Sequence, residues 1–373
     1  MPGGKVWHSA DEGLPTLCFH HAQDIWKLML CPDTGLAELY ANRRITISGG
    51  DIYDLLHAFL DPAVSKAMPA PIRIAGMFFG LIHRFSQGWT KQQSRKNVHA
   101  HYDLGNALYE LFLDKDWQYS CAYFHRPGMT LNDAQKEKKD HIRRKLRLSP
   151  GARVLDIGCG WGDMALDLAR AGVKVKGITL SSEQLDLAVK RASTADMPID
   201  FDLMDYREED AQYDRIVSVG MLEHVGKARL ASFFSSIDRC LEKDGIALIH
   251  TIGRPEGPRA TSRFIQKYIF PGGYIPCLSE LTLAVETTSL AISDIEVFFL
   301  HYAETLKSWR ENFLRSRDEV VKLYDERFAR IWEFYLASSE ACFRHKKLVV
   351  YQLQLVKLDA PPMMSRDYIY SAE

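Results

Sequence analysis

The chain has 373 residues, 46% of them hydrophobic, which is enough to build the core of one large domain and a smaller one. Its 47 lysines and arginines and 48 aspartates and glutamates give a net charge of −1, which excludes the basic field expected of a nucleic-acid-binding protein. The seven cysteines include no CxxC pair and no run of about 18 apolar residues occurs, so we predict no disulfide framework, no metal site and no membrane-spanning segment.

The N-terminal part, residues 1–72, is predicted to be a small separate domain. It contains short strand-like pieces and turn signals such as CPDTG and ISGGD. A Pro-rich border, MPAPIR, leads into residues 73–93, which contain the strongly apolar stretch IAGMFFGLIHRF. This linker is either a helix packed between two domains or a surface that docks on a membrane or a partner.

The larger part, residues 94–373, is predicted to be an α/β domain with a mostly parallel sheet of seven strands. From residue 150 onward, apolar runs of strand length alternate with helical patterns, which is typical of βαβ units. Two later runs, DIEVFFLHY and LVVYQLQL, are rich in β-branched and aromatic residues and complete the predicted sheet. Between them, LYDERFARIWEFYLASSEACF has the spacing of one long amphipathic helix.

A glycine-rich loop follows the first strand of this domain in the stretch VLDIGCGWGD. Gly158, Gly160 and Gly162 let the backbone approach a ligand closely. A dinucleotide site needs a small residue where this chain has Asp163, so NAD is disfavoured. Asp156 would repel a pyrophosphate but suits a ligand that carries an ammonium group, and S-adenosylmethionine is such a ligand.

The next two strand ends supply polar residues for the rest of that cofactor. Thr179 and Gln184 are placed to meet ribose hydroxyls, while Asp205 and Tyr206 are placed to meet adenine. Carboxyl ends of parallel strands are where open α/β sheets bind ligands, so we predict a cofactor core over about residues 148–255. The plainer alternative is that these are ordinary polar loop residues.

Six ordered motifs between Ser94 and Gln354 resemble the cyclopropane fatty acid synthase family, which includes mycolic acid methyltransferases. The motifs are NVHAHYDLGNALYELFLDKDWQYSCAYF, VLDIGCGWG, IVSVGMLEHVG, LIHTIG, KYIFPGG and HYAETLKSW. The resemblance implies a Rossmann-like class I methyltransferase fold with a lipid-pocket insertion at about residues 256–290. It also implies transfer of the S-adenosylmethionine methyl group to a cis double bond of a phospholipid acyl chain, where that carbon becomes the methylene of a cyclopropane.

The same resemblance sets the expected location and partners. The first residues, MPGGKVWHSADEG, lack the regions of a signal peptide, so we expect a cytoplasmic protein. The substrate implied is an unsaturated phospholipid acyl chain, so the protein is expected to associate peripherally with the inner face of the membrane. A homodimer is possible, and no nucleic acid partner is expected.

The base that closes the ring is implied by the resemblance to be a bound bicarbonate. The side chains of Glu223, His250 and Tyr302 and the main chains of Cys121 and Ile252 match its ligands. An ionised carboxylate can accept from the hydroxyl of bicarbonate while the other two side chains donate to its oxygens. The alternatives are a helix N-cap for Glu223, at the start of EHVGKARL, and a small buried core residue for Cys121.

Two further positions, Tyr119 and Ser120, match residues that touch the methionine end of the cofactor. An alkene that accepts a methyl cation leaves a carbocation, and aromatic faces stabilise positive charge. The candidates near the motifs are Tyr119, Tyr123, Phe124, Tyr268, Phe270 and Tyr302. Each of them is also compatible with ordinary core packing.

Three positions depart from the family pattern. Ser339 stands where many relatives have a cysteine once assigned an active role, with Cys342 nearly one turn further on. Phe264 replaces a frequent Trp and is expected to reshape the acyl pocket, while Met204 replaces a frequent Gln near the expected adenine site. We interpret His224 as structural.

His99 and His101, in the stretch HAHYD, resemble a metal pair but lack a nearby third ligand. We interpret both as hydrogen-bonding loop residues.

Three rival functions remain open. The first is a related lipid C-methyltransferase that leaves a methyl-branched alkene or a furan precursor. The second is methylation of a small molecule or of nucleic acid, although the charge balance and the lack of an NPPY motif disfavour nucleic acid. The third is a non-catalytic lipid-binding or scaffold protein, which the intact glycine loop disfavours.

Overall fold

The computed structural model describes residues 14–67, 105–361 and 364–370. The predicted apolar linker at 73–93 and the histidines of HAHYD lie outside these ranges. The predicted boundaries between an N-terminal domain, a linker and a larger domain therefore stay a prediction.

The described N-terminal residues form a two-stranded antiparallel sheet and four helices. These elements are β1 Thr16–Phe19, α1 Ala22–Leu30, α2 Pro32–Ala41, β2 Ile45–Ser48, α3 Ile52–Leu60 and α4 Pro62–Ala67. The turn signals of the sequence mark helix starts here. CPDTG begins α2, and ISGGD leads into α3, where the Asp51 side chain accepts from the Asp54 main-chain N–H at 2.9 Å.

The larger part alternates strands and helices in the predicted order. Its strands are β3 Arg153–Ile157, β4 Lys174–Thr179, β5 Asp200–Leu203, β6 Tyr213–Val219, β7 Leu241–Gly253, β8 Leu290–Phe298 and β9 Val349–Lys357. Its helices are α5 Asn106–Glu110, α6 Leu131–Leu146, α7 Asp163–Arg170, α8 Ser182–Thr194, α9 Leu230–Cys240, α10 Leu278–Val285, α11 His301–Arg315, α12 Arg317–Leu323, α13 Glu326–Arg344 and α14 Asp367–Tyr370.

The seven strands form one sheet in the order β5-β4-β3-β6-β7-β9-β8, and only β9 runs antiparallel to its two neighbours. The predicted mostly parallel α/β sheet is confirmed. The chain moves outward from β3 through β4 to β5 and then returns to β6 on the other side of β3. The loops after β3 and β6 therefore diverge, and such a switch point is where open α/β sheets bind ligands.

Both faces of the sheet are covered, which explains the continuous apolar runs in its strands. Val154 faces the core under α6 and α7, while Leu155 faces the core under α9 and α10. The same alternation places Ile216 and Val217 of β6 on opposite faces. Burial of each such side chain stabilises the fold by about 1.5–3 kcal/mol.

The predicted long helix near the C-terminal end is confirmed as α13, and its first turn is capped by Asp325. The Asp325 carboxylate accepts from the Phe328 main-chain N–H at 2.6 Å, while α12 ends at Leu323. Trp332 and Leu336 of α13 are fully buried in a third core, which α13 shares with α2, α3 and α11. Across the three described ranges, no helix combines the length and apolarity needed to span a bilayer.

Candidate active site

A first cavity lies at the carboxyl ends of β3 to β6, at the switch point of the sheet. Nine of the ten residues predicted to bind the cofactor line it: Tyr119, Ser120, Asp156, Gly158, Gly160, Thr179, Gln184, Asp205 and Tyr206. The glycine loop, two strand ends and the segment before α6 thus converge on one site, although these residues are far apart in sequence.

Gly162 is the exception, and its predicted contact with the ligand stays a prediction. It does not line the cavity. A Cβ atom at this position would lie 2.9 Å from Ala188 Cβ and 3.0 Å from Phe201 Cζ, and the residue has a φ of +82°. Glycine is needed here so that α7 can pack against α8 and β5.

Asp156 is a buried carboxylate in the wall of this cavity. The residue is 2% exposed, and its Oδ2 atom has no hydrogen-bond partner in the described chain. Burial raises the pKa of Asp156 to about 7. A cationic group would restore the ionised form, so the site fits the ammonium group of an S-adenosylmethionine-type ligand.

The polar residues at and after the ends of β4 and β5 are held in place by hydrogen bonds and ring contacts with neighbouring side chains. Thr179 Oγ1 donates to Gln184 Oε1 at 3.2 Å. Asp205 accepts from Arg207 Nε at 2.7 Å and also from its terminal nitrogen, a bidentate pair that the sequence did not predict. Tyr206 packs edge-on against Phe233 with ring centroids 5.3 Å apart.

Helix α6 holds the segment that carries Ser120 in place, which was not predicted from the sequence. Gln135 donates to the main-chain carbonyls of Gln118 and Ser120 at 3.1 and 3.0 Å. Lys138 is fully buried and donates to Gln118 Oε1 and, at 2.8 Å, to Ser120 Oγ. Burial lowers the pKa of Lys138 to about 8, so it is still mostly cationic at neutral pH.

The hydrogen bonds of Asp163 explain why this position has an aspartate instead of the small residue of a dinucleotide site. Its Oδ2 accepts from Gln118 Nε2 at 2.8 Å and from Lys139 Nζ at 2.7 Å. The first residue of α7 is therefore an anchor for the segment between α5 and α6. A small residue at this position would leave the buried Lys139 without that partner.

A second, larger cavity contains all five residues predicted for the bicarbonate site: Glu223, His250, Tyr302, Cys121 and Ile252. Its volume is about 520 Å³, against about 140 Å³ for the first cavity. The predicted insertion contributes residues from Ala260 to Ile275, and α13 contributes another wall. N-terminal side chains that the sequence did not assign to a site also line it, namely Leu36, Leu56, Phe59 and Leu60.

The two cavities meet at four residues, because Tyr119, Ser120, Gly220 and His224 line both. Burial lowers the pKa of His224 to about 4, so its ring is neutral. It packs edge-on to Phe270 at 5.6 Å between centroids. The prediction that His224 is only structural stays a prediction, but its ring faces both cavities.

Glu223 is not a helix N-cap. It lies in a short 3₁₀ turn, Leu222–His224, and the next α-helix begins seven residues later. The Ile252 main-chain N–H donates to Glu223 Oε1 at 2.6 Å, while the buried Oε2 has no partner within the described residues. Burial raises the pKa of Glu223 to about 7.

His250 lies within β7, three residues before the strand ends, where it pairs with the last residue of β6. The Gln352 amide nitrogen lies 3.0 Å from His250 Nδ1, and when that nitrogen donates to Nδ1 the neutral ring carries its hydrogen on Nε2. His250 Nε2 is buried without a partner in the described ranges, and burial lowers the pKa of His250.

The remaining two residues predicted for the bicarbonate site, Tyr302 and Cys121, also line the second cavity. Tyr302 is in the first turn of α11, and its ring packs on Phe343 with centroids 4.7 Å apart. Cys121 is 1% exposed, and burial raises the pKa of its thiol, which points to the Ala122 carbonyl at 3.3 Å. Cys121 is therefore a neutral thiol.

The aromatic candidates divide into two groups. Tyr119, Phe270 and Tyr302 line the second cavity, whereas Tyr123, Phe124 and Tyr268 do not. Tyr123 stacks against His141 at 4.4 Å and His301 at 5.0 Å. The hydroxyl of Tyr268 donates to Glu38 at 2.8 Å.

Two of the three departures from the family pattern face the second cavity. Ser339, Cys342 and Phe264 all line it. Burial raises the pKa of the Cys342 thiol to about 11, so it is protonated at neutral pH. Met204 lines the first cavity next to Asp205.

Comparison with known proteins agrees with this geometry. The mycolic acid cyclopropane synthetase family matches residues 89–353. A tuberculostearic acid methyltransferase of Mycobacterium tuberculosis is 40% identical over 296 residues, which are 74% of this chain and 69% of that protein. A cyclopropane-fatty-acyl-phospholipid synthase of Escherichia coli strain K12 is 38% identical over 322 residues, which are 86% of this chain and 82% of that protein.

A solved structure supports the same assignment. The mycolic acid cyclopropane synthase CmaA1 in complex with SAH and CTAB superposes with a TM-score of 0.67 at 33% identity, covering 70% of this chain and 98% of that one. The predicted class I methyltransferase fold is confirmed. The chain is therefore a methyltransferase that belongs to the mycolic acid cyclopropane synthetase family.

Proposed function

We propose that this protein transfers the methyl group of S-adenosylmethionine to the cis double bond of an unsaturated phospholipid acyl chain and forms a cyclopropane. Bound bicarbonate is the proposed proton acceptor. The proposal includes a cytoplasmic location with peripheral association at the membrane, where the lipid is found.

One observation supports this proposal above the others. A cavity that contains an unsatisfied buried carboxylate, Asp156, meets a larger, mainly apolar cavity at Ser120 and His224. A cofactor in the first and a long apolar chain in the second would meet at that junction. Substrates that carry only small polar groups do not require the apolar walls that Phe334, Phe343 and other residues supply.

The cofactor supplies an electrophilic methyl group on a sulfonium, and the alkene is a weak nucleophile. The chain's own contribution is therefore to hold the double bond against that methyl group and to exclude water. Tyr119, Phe270 and Tyr302 place aromatic faces around the second cavity, where positive charge develops on the acyl chain. Ring closure then needs a base to take one proton from the transferred carbon.

Bicarbonate supplies that base when bound, and the side chains present fit it. Glu223 Oε1 is held by the Ile252 N–H, so Oε2 is the atom left to accept from an anion's hydroxyl. His250 Nε2–H is a donor without a partner in the described chain. The family resemblance assigns the Ile252 main chain to the anion, and its N–H is bound to Glu223 in this structure.

The electric field at this place also favours an anion. Lys138 is a buried cation whose two side-chain hydrogen bonds go to neutral acceptors, Gln118 and Ser120. Its charge lowers the pKa of both Cys121 and His250, although burial is the larger influence on each. A buried positive charge without a directly bonded carboxylate is stabilised by a nearby anion.

A second candidate is a lipid C-methyltransferase that leaves a methyl-branched alkene. The relative named tuberculostearic acid methyltransferase, at 40% identity, favours this alternative. Both reactions use the same cavities and the same methyl transfer, and they differ in which proton leaves.

The test is expression in a bacterial host that lacks such lipids, followed by mass spectrometry of its fatty acids. The proposal predicts a gain of one CH2 per modified chain. The two candidates have the same mass, so the extract is then treated with dimethyl disulfide, which adds to alkenes and leaves cyclopropanes intact. No gain of CH2 in any chain, with the protein folded and expressed, contradicts both candidates.

A further inference from the structure

Two cations in the second cavity take no part in the chemistry proposed above. Arg254 directly follows β7, and Lys347 follows α13; both line the cavity. Arg254 lies two residues after Ile252 of the proposed anion site, at the end of β7. Alternate residues of an extended strand point to the same side, so these two side chains do as well. The cavity therefore has a second charged region beside the first.

The backbone of Arg254 is fixed on both sides. Its N–H donates to the Pro276 carbonyl at 2.9 Å, and its carbonyl accepts from the Tyr351 hydroxyl at 2.7 Å. Arg254 also forms an isolated parallel bridge with Cys277. The guanidinium is thus carried on a rigid base, which lowers the entropy lost when it binds a ligand.

The guanidinium itself is poorly satisfied. One terminal nitrogen donates to the Ala260 carbonyl at 3.4 Å, and the buried Nε has no partner in the described parts of the chain. Within those parts, no carboxylate lies within ion-pair distance of Arg254 or of Lys347. Burial lowers the pKa of Arg254, which expresses the free-energy cost of keeping this charge away from water.

The two carboxylates that line the same cavity do not neutralise these cations. Asp33 accepts from Ser262 Oγ at 2.6 Å and from the Arg263 main-chain N–H. Glu223 is held by Ile252. Both cations are close enough to Cys342 to lower its thiol pKa against the effect of burial, so they act on one region of the wall.

Lys347 is exposed, whereas the walls formed by Phe334 and Phe343 are buried. The positively charged region therefore lies where the apolar cavity opens to solvent. An amphiphile fits this arrangement if its anionic group stays at the opening and its hydrocarbon chain runs inward. A phosphate diester fits best, because it offers two oxygens to a planar guanidinium and continues on its other side into a polar head group in water.

We propose that Arg254 and Lys347 bind the phosphate diester of the substrate lipid at the mouth of the second cavity. This inference rests on the proposed function, because it names the part of the phospholipid that the enzyme recognises. It makes the phosphate a determinant of substrate choice in addition to the acyl double bond.

The experiment compares the affinities of the purified full-length protein for three oleoyl ligands, measured by calorimetry below their aggregation concentrations. The ligands are oleoyl lysophosphatidylglycerol, monooleoylglycerol and oleate. The variants are Arg254→Gln and Lys347→Gln. The matched control is Arg259→Gln, which removes the same charge from a surface pair with Glu256, where the two side chains are 65% and 53% exposed.

The parent protein should prefer the phosphate lipid over monooleoylglycerol. Arg254→Gln should reduce that ratio of affinities about tenfold or more, the size expected for a charge-assisted hydrogen bond. Lys347→Gln should reduce it less, because its ammonium is exposed, and Arg259→Gln should leave it unchanged. Melting curves of all variants show whether each one is folded.

Several results would overturn the inference. If Arg254→Gln lost affinity for the phosphate lipid and for monooleoylglycerol equally, Arg254 would be a structural residue. If neither affinity changed, Arg254 would have no role in binding the phosphate. If Arg254→Gln weakened the binding of oleate as much as that of the phosphate lipid, the site would be assigned to a carboxylate. A parent that binds all three ligands equally overturns this inference and leaves the proposed function standing, whereas a parent that binds none overturns both.

Discussion

The Ile252 main-chain N–H donates a hydrogen bond of 2.6 Å to Glu223 Oε1 and leaves Oε2 buried without a partner in the described residues. This bond joins the loop after β6 to the end of β7. It fixes one carboxylate oxygen of Glu223, a residue that lines the second cavity. Glu223 is therefore suited to hold a ligand that donates a hydrogen bond.

We expect Glu223→Gln to keep cofactor binding and to lose turnover. The Gln carbonyl can still accept from Ile252, but its amide nitrogen donates where Oε2 would accept from the anion. Turnover should fall about 100-fold or more, the range for loss of assisted proton transfer. Calorimetry with S-adenosylmethionine and a methyl-transfer assay measure the two quantities.

The matched control is Glu286→Gln, at the exposed C-terminal end of α10. It should change neither quantity. Lost cofactor affinity in Glu223→Gln, without a separate defect in turnover, would show that Glu223 belongs to the cofactor site instead.

The raised pKa of Glu223 also predicts a pH effect on folding. A carboxyl with a pKa of about 7 in the folded protein, against an ordinary value of 4.5, binds its proton more tightly when folded. Stability therefore falls as pH rises from about 4.5 to about 7, by about 3 kcal/mol from this group.

Glu223→Gln should remove this part of the pH dependence. Denaturant titration without cofactor measures the free energy of unfolding of both proteins at pH 5 and pH 8. The difference, variant minus parent, should be larger at pH 8 than at pH 5. The other buried carboxyl, Asp156, is present in both proteins and cancels in the comparison. A difference that is the same at both pH values would refute the assignment.

Asp156→Asn should weaken S-adenosylmethionine binding, because the amide cannot balance an ammonium group. The affinity should fall about tenfold to a hundredfold, the size of a charge-assisted hydrogen bond in a buried site. The parent's affinity should rise with pH through about 7 as Asp156 ionises, and the variant should lose most of that rise. Calorimetry at pH 6 and pH 8 checks both points; a parent affinity that is independent of pH would contradict the role.

Lys138→Met should raise the bicarbonate concentration needed for half-maximal turnover about tenfold, since it removes a buried cation near the anion site. Turnover is measured in buffer freed of carbon dioxide and then supplemented with bicarbonate. The control is Lys136→Met, which loses only an exposed pair with Asp140 on the same helix. An unchanged bicarbonate requirement in Lys138→Met would separate Lys138 from the anion.

The sheet and the cofactor loop were predictable because their signals are local. Apolar runs such as YDRIVSV are buried on both faces, and the glycine loop directly follows a strand. The site residues Glu223 and His250 came from family motifs, and the sheet explains their proximity, since Val219 at the end of β6 pairs with His250.

The remaining features depend on contacts between distant segments. Lys138 lies in LNDAQKEKKDHIRRKL, whose charges indicate a solvated helix, yet it is fully buried. The partner of His250, Gln352, is 102 positions away, and the N-terminal Leu36 and Leu56 reach the second cavity only through packing on α13. No local pattern carries this information.

The central claim is methyl transfer to an acyl double bond with ring closure, and one labelling measurement tests it most directly. Purified protein is incubated with S-adenosylmethionine that carries a trideuterated methyl group, with bicarbonate and with vesicles of dioleoyl phosphatidylglycerol. The account predicts oleoyl chains that gain one carbon with two deuterons and no longer react with dimethyl disulfide. Chains that keep all three deuterons and still react as alkenes, or chains without deuterium, would contradict it.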